Sequence, residues 1–241
     1  MLVAENISWQ YPDGFTAIDH ISLSVQKNES VGLVGANGAG KSTLLELLAG
    51  IKQDTDSGFL SLSGLSYEKK NLVELRKRIG YIFQNPDDQV FMPTVYDDIA
   101  FGIRNFGHDE SFVTKRVDIV LSKLHIEHLK EKATYKLSGG EKRSVALAGV
   151  LVMEPDLILL DEPTTFLDLK GRRNLIHILS HISSAKIIAT HDLEMILELC
   201  SRVIIMDHGK IAADGDPHEL FRQQDFMEKL NLEIPASFSV K

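Results

Sequence analysis

The stretch Ser30 to Gly50, SVGLVGANGAGKSTLLELLAG, constrains this chain more than any other. It reads as a short apolar strand, a glycine-rich loop and a Leu-rich helix in immediate succession. Gly35-Ala36-Asn37-Gly38-Ala39-Gly40-Lys41-Ser42 satisfies the phosphate-loop pattern G-x-x-x-x-G-K-[ST] in the strand–loop–helix setting that gives the pattern meaning. Gly35, Gly38 and Gly40 permit backbone conformations closed to other residues and let a ligand come close. The N–H groups of such a loop, together with the positive end of the following helix, attract an anion. Lys41 can reach terminal phosphates, and the Ser42 hydroxyl can ligate a magnesium ion. The expected ligand is a nucleoside triphosphate.

Around this unit the pattern predicts an α/β fold with a mixed sheet. Leu2 to Tyr11 and Ala17 to Val25 alternate apolar and polar residues as half-buried strands do, with Pro12-Asp13-Gly14 between them, which predicts an N-terminal antiparallel β part. Gln53 to Gly58 reads as a polar break, Phe59 to Leu62 and Ile79 to Phe83 as strands, and Leu72 to Arg78 as a short helix. From Gln84 onward the periodicity turns helical, through Thr94–Phe101, Ser111–Leu124 and Ser138–Val152. Leu157 to Leu160 is a continuous apolar run, as expected of a parallel strand covered on both faces. Lys170–His181 and Leu193–Cys200 read as helices flanking a strand at Ile187–Thr190, and Val203–Asp207 with Lys210–Ala213 as a hairpin turning at His208-Gly209. Asp216-Pro217 opens a last helix. The expectation is a single domain, 1–241. It divides into an α/β core (1–83 and 153–220), an α-helical subdomain (about 84–152) and a C-terminal tail (221–241).

The 34 acidic against 26 basic residues leave a net charge of −8, which argues against a nucleic-acid binder, since these usually carry a basic face. With one cysteine, Cys200, no intrachain disulfide can form, and a reducing cytoplasm suits the chain. The polar-interrupted opening LVAENISW predicts no signal peptide. The apolar runs fall far short of the ~20 residues that span a bilayer. Any membrane part has to come from a partner.

Two further stretches carry chemistry. Leu157-Ile-Leu-Leu-Asp161-Glu162 sets two carboxylates where a buried strand ends. Asp161 suits magnesium, directly or through water, and Glu162 suits accepting a proton from an attacking water or orienting it. Leu137-Ser138-Gly139-Gly140-Glu141 can form a capping box, Ser138 capping a helix and Glu141 reaching back. That accounts for Ser and Glu but not for the glycines, which cost up to ~1 kcal/mol each inside a helix. Two glycines in a first turn make sense where a phosphate must approach its exposed N–H groups.

Taken together these motifs resemble the ATP-binding-cassette (ABC) ATPases, the nucleotide-binding subunits of transporters, over nearly the whole chain. The resemblance implies ATP and Mg2+ as ligands and assigns roles by position. Tyr11 is similar to the aromatic residue that stacks on adenine, and Gly35 to Thr43 to the phosphate loop. Gln84 is similar to the glutamine that touches magnesium and links to the membrane partner, and Ser138, Gly139 and Gly140 lie in the signature sequence. Asp161 and Glu162 match the second Walker motif, Asp168 the aspartate of the loop that crosses the dimer, and His191 the switch histidine that senses the γ-phosphate. The implied metal set is Ser42, Gln84 and Asp161, and the implied catalytic set is Lys41, Glu162 and His191. In this family a second subunit, head to tail, places its signature turn against the first subunit's γ-phosphate. A homodimer and a heterodimer with a related chain are both permitted.

Phe83-Gln-Asn-Pro-Asp-Asp-Gln89 and Ala148-Gly149-Val150-Leu151 resemble the energy-coupling-factor importers, which carry vitamins, cobalt and nickel. This implies an integral membrane partner contacted near Gln84–Gln89 and a peripheral place on the cytoplasmic face of the membrane. His191-Asp-Leu-Glu-Met195 and Gly171-Arg-Arg173 tilt the resemblance towards the cobalt or nickel members. Three positions depart from the pattern: Glu141 stands where the wider family has Gln, Ser144 where related importers often have Arg, and Phe166 where a small residue is common. A soluble ATP-gated clamp on DNA or ribosomes would usually carry a coiled-coil insertion or tandem cassettes, which this chain lacks. A nucleotide kinase or GTPase would leave the signature and His191 unexplained.

Overall fold

The computed structural model describes residues 1–52 and 57–238. Strands β1 (Leu2–Gln10) and β2 (Thr16–Val25) pair antiparallel. Next come β3 (Ser30–Gly35), the phosphate loop, and α1 (Lys41–Leu48). They are followed by β4 (Ser57–Leu62), β5 (Leu65–Ser66), α2 (Leu72–Arg78) and β6 (Ile79–Ile82). Of the expected polar break, Gln53 to Asp56 lie outside the described residues, whereas Gly58 sits inside β4. There its φ is +96°, and a Cβ would come within 2.4 Å of the Asn6 carbonyl, so only glycine fits this irregular step of the ladder.

Three helices follow, α3 (Val95–Asn105), α4 (Glu110–Lys123) and α5 (Gly139–Leu151). Each opens on a side-chain cap predicted by its residue type: Thr94, Asp109 and Ser138 accept from backbone N–H groups of the first turn. The chain then runs through β7 (Leu157–Asp161), α6 (Leu169–Ser180), β8 (Ala185–Ala189), α7 (Leu193–Leu199), β9 (Arg202–Asp207) and β10 (Lys210–Gly215). The expected last helix is two, α8 (Pro217–Leu220) and α9 (Gln224–Lys229), and the fully buried Phe221 sits at the break.

The strands form two sheets. One is antiparallel, in the order β2-β1-β4-β5; the other is mixed, β10-β9-β3-β8-β7-β6, parallel except for the β9–β10 hairpin. His208 and Gly209 both have positive φ, as a two-residue hairpin turn requires. The parallel strands are largely apolar because both of their faces are covered. Leu157 and Leu159 of β7 point into the core shared with α1 and the antiparallel sheet, and Ile158 and Leu160 into the core shared with α3–α7. β8 begins two residues before the expected Ile187, since Lys186 interrupts the apolar pattern. That lysine is buried, and its ammonium donates to the carbonyls of Ile182 (2.6 Å) and Ser184 (3.0 Å). The C-terminal ends of β3, β7 and β8 therefore open side by side, the place where open α/β sheets bind ligands.

Candidate active site

At that edge lies a cavity of about 550 Å3 lined by Asn37 to Thr43, Tyr11, Gln84, Asp161, Glu162 and His191, with Phe15, Thr164, Thr165, Thr190 and Asp192. The phosphate loop forms its floor. Gly40, the residue before α1, has φ +102°, and a Cβ there would meet the Ala17 carbonyl at 2.5 Å, so the turn into the helix requires glycine. The Lys41 ammonium donates to Gly35 O (2.6 Å) and Ala36 O (3.2 Å), folded back on its own loop. Burial holds its pKa below the ordinary lysine value, although Glu162 and Asp161 pull the other way. The Tyr11 hydroxyl lies 3.2 Å from Thr43 Oγ1, which anchors the aromatic ring at the mouth.

Asp161 ends β7 and is buried, hydrogen-bonded by the Ser42 hydroxyl and by Tyr81 Oη at 3.4 Å. Burial nonetheless raises its pKa above the ordinary carboxylate value. Glu162 follows in a left-handed backbone conformation, φ 44°, with its N–H on Ala189 O at 2.8 Å. Such a conformation in a non-glycine residue stores strain, and the hydrogen bond to the end of β8 holds it. Its Oε2 accepts from Thr190 Oγ1 (3.1 Å) and the His191 N–H (3.2 Å). Its Oε1 is buried without a hydrogen-bond partner, with His191 Nε2 3.4 Å away. One carboxylate oxygen is thus pinned while the other remains an open acceptor.

The donors around Ser42, Asp161 and Gln84 are hydroxyl, carboxylate and amide oxygens, the hard set that suits magnesium. Asp161 fits such an ion because it is a buried carboxylate lining the cavity next to the Ser42 hydroxyl, and the nearby Lys41 charge does not offset the burial that raises its pKa.

Ser138–Gly140 and Asp168 stand apart from this cavity. The capping box is complete: the Ser138 N–H donates to Glu141 Oε2 (2.7 Å) and the Glu141 N–H to Ser138 Oγ (3.3 Å). Lys132, 2.8 Å from Glu141, and the Ser138 N–H hold the Glu141 pKa below its ordinary value. A Cβ on Gly139 would meet nothing within 4 Å, and one on Gly140 only Leu167 at 3.9 Å. Neither glycine has positive φ, so the chain's own packing and backbone need neither of them. Ser138, Gly140 and Asp168 line a second cavity, about 510 Å3, between α5 and α6. Asp168 caps α6, accepting from the Gly171 N–H at 2.7 Å. Phe166, in the loop before it, is 73% exposed with φ 66°, a conformation in which glycine would be relaxed.

Residues 18–165 match the ABC transporter family. The chain belongs to that family. This ABC ATPase is 45% identical over 227 residues to an ABC transporter ATP-binding protein of Geobacter sulfurreducens, covering 94% of this chain and 91% of that one. It is 40% identical over 242 residues to the energy-coupling factor transporter ATP-binding protein EcfA of Methanothermobacter thermautotrophicus, covering 98% and 78%. Its fold superposes on cbiO1 from Clostridium perfringens, part of the ABC transporter complex cbiONQ, with a TM-score of 0.84 and 38% identity over 98% of this chain and 96% of that one. The chain is therefore an ATP-binding, ATP-hydrolysing cassette. Among the described residues no helix is long and apolar enough to cross a membrane.

Several site residues escaped the sequence reading. Thr190, Tyr81 and Thr165 belong to no distinctive local motif, although Thr190 directly follows β8 and could have been suspected on that ground. The two phrases used to weigh cargo, around Arg172 and Asp192, meet in space. Arg172 Nε and Nη2 donate to Asp192 Oδ2 (2.5 Å) and Oδ1 (2.9 Å), tying α6 to the turn that carries His191.

Proposed function

We propose that this chain is the ATPase of an energy-coupling-factor type importer, carrying cobalt or nickel ions. The alternatives, which have less support, are vitamin or other ABC import and a soluble ATP-gated clamp. The observation that carries the reading is the pairing of a complete nucleotide cavity with an exposed glycine turn at Ser138–Gly140 that the chain's own structure does not use. Residues 1–241 act as one ATPase domain, divided as the sequence predicts, and a second cassette, identical or related, supplies the facing signature turn. EcfA and cbiO1 are the kinship that favours the importer over the clamp. Phe91 and Phe101, exposed and packed edge to face at 5.0 Å beside the Gln84–Gln89 loop, offer the membrane subunit an apolar seat on the cytoplasmic side.

In the mechanism, Tyr11 stacks on the adenine, and the N–H groups of Gly38 to Thr43 cradle the phosphates. Lys41 leaves its loop carbonyls for the terminal phosphate oxygens. Ser42, Asp161 and Gln84 would hold magnesium, which would supply charge neutralisation to the phosphates. Glu162 Oε1, the open acceptor, takes the attacking water's proton or aligns it, while Thr190 and the His191 N–H fix Oε2. His191 senses the γ-phosphate, and Asp168 orders the loop at the crossing. ATP favours only the closed pair, so hydrolysis reopens it.

Because burial raises the Asp161 pKa, its contribution to the stability of the empty protein is present at acid pH and lost as pH rises through that raised value. At neutral pH, Asp161→Asn is therefore expected to melt higher than the parent in a chelator and to lose the stabilisation that magnesium and ATP give the parent. A variant that melts lower and keeps that gain would oppose the metal role. Purification in detergent is expected to retain an integral membrane subunit, and vesicles of that complex to take up cobalt or nickel when ATP is supplied. Retention on DNA or ribosomes in a salt-sensitive manner would support the clamp instead.

A further inference from the structure

Arg143, in the second turn of α5, is 2% exposed. Its Nη1 donates to Phe83 O and its Nη2 to Gln84 O, both at 2.5 Å, and its Nε is buried without a partner. Among the described residues it forms no ion pair with a carboxylate, and burial alone lowers its pKa, to about 10. A buried cation held only by two carbonyls is a poor stabiliser, and an apolar side chain of the same size is often tolerated as well or better. Its geometry, however, joins two elements of the site. The carbonyls belong to the segment whose Gln84 lines the nucleotide cavity, while α5 presents Ser138–Gly140 at its first turn. Neighbouring contacts make the same segment stiff: Lys142 pairs with Asp87, and the Gln89 amide spans Tyr81 O (3.0 Å) and the Phe83 N–H (3.2 Å).

We propose that Arg143 is a positioning residue for turnover, a strut that makes the Gln84 loop and the Ser138 turn move as one body. It does not line the nucleotide cavity. Where Gln84 goes on meeting the nucleotide, the first turn of α5 follows, and a push on the Gln84–Gln89 loop from outside reaches the same turn. The inference rests on the reading of ATP clasped between two chains.

The test uses Arg143→Met and Arg143→Lys in the full chain. Arg143→Met is expected to melt within a few degrees of the parent and to bind ATP with unchanged affinity. Its kcat should fall at least ten-fold while KM moves less than about three-fold, because the freed carbonyls turn to water and the loop no longer follows α5. Amide exchange at residues 83–89 should quicken. Arg143→Lys, able to donate to the same carbonyls, should recover part of the lost kcat, and it carries the test should the Met variant fail to fold. A folded Arg143→Met with parental kcat, or Arg143→Lys no better than Met, overturns the strut. To separate this from failure of the underlying reading, the same substitutions are made in Glu162→Gln protein. If that background does not pair with ATP at all, the clasp fails. If it pairs, adding Arg143→Met does not weaken that pairing, and Arg143→Met alone turns over at the parental rate, the strut alone fails.

Discussion

Glu162→Gln is expected to cut ATP turnover by roughly a hundred- to ten-thousand-fold, the range of a lost general base, while ATP binding survives. The fold should tolerate the change. The amide oxygen can still accept from the Thr190 hydroxyl and the His191 N–H, and a neutral group in that buried position costs less desolvation than a carboxylate. What is lost is the carboxylate Oε1, buried without a hydrogen-bond partner 3.4 Å from His191 Nε2, which is proposed to take a proton from water. With hydrolysis stopped, nothing removes the γ-phosphate, so the closed pair should persist with ATP and magnesium and fall apart with ADP. Phosphate release and solution mass measure both halves of this expectation. A variant hydrolysing ATP at the parental rate removes Glu162 from the chemistry.

Gly139→Asp is expected to abolish turnover without harm to the isolated chain. A Cβ at Gly139 meets open space, and an acidic residue in the first turn of α5 gains from the helix dipole, so the melting temperature should hold or rise. ATP binding at the Lys41 loop should also be unaffected, because Gly139 does not line that cavity. The added carboxylate would instead meet the γ-phosphate of a facing chain, where like charges at close range repel strongly. Isothermal titration, melting and phosphate release decide it together. Parental turnover in this variant would mean that no phosphate approaches the turn.

Much of this site was legible because its signals are local. The strand entering the phosphate loop, the glycines, the apolar β7 ending in Asp161-Glu162, and the His208-Gly209 hairpin each depend on residues a few positions apart. The Ser138 turn was legible in a different way, as a capping box that left two glycines unexplained, and the structure leaves them unexplained within one chain. What could not be read depends on contacts across the fold. Lys186 interrupts the apolar run of β8 yet is buried, because two carbonyls before the strand receive its ammonium. No local pattern marks Arg143, because the two carbonyls that receive it, those of Phe83 and Gln84, come from the segment after β6, some sixty residues earlier in the chain. Phe166 departed from the expected small residue, and it occupies a left-handed conformation at the loop leading to Asp168, exposed to whatever lies opposite. The pairing of Arg172 with Asp192 gives a local, architectural reason for two phrases that otherwise suggest only a cargo class.

The central claim is that each nucleotide site takes its phosphate loop from one chain and its Ser138 turn from another, and mixing two inactive variants tests it most directly. Lys41→Ala lacks a working phosphate loop, and Gly139→Asp lacks a working turn. In a two-fold symmetric pair of unlike variants one site is whole and the other doubly broken. Random pairing of equal amounts should then restore about a quarter of the parental ATPase rate. Mixtures that stay as inactive as their components at every ratio would contradict it.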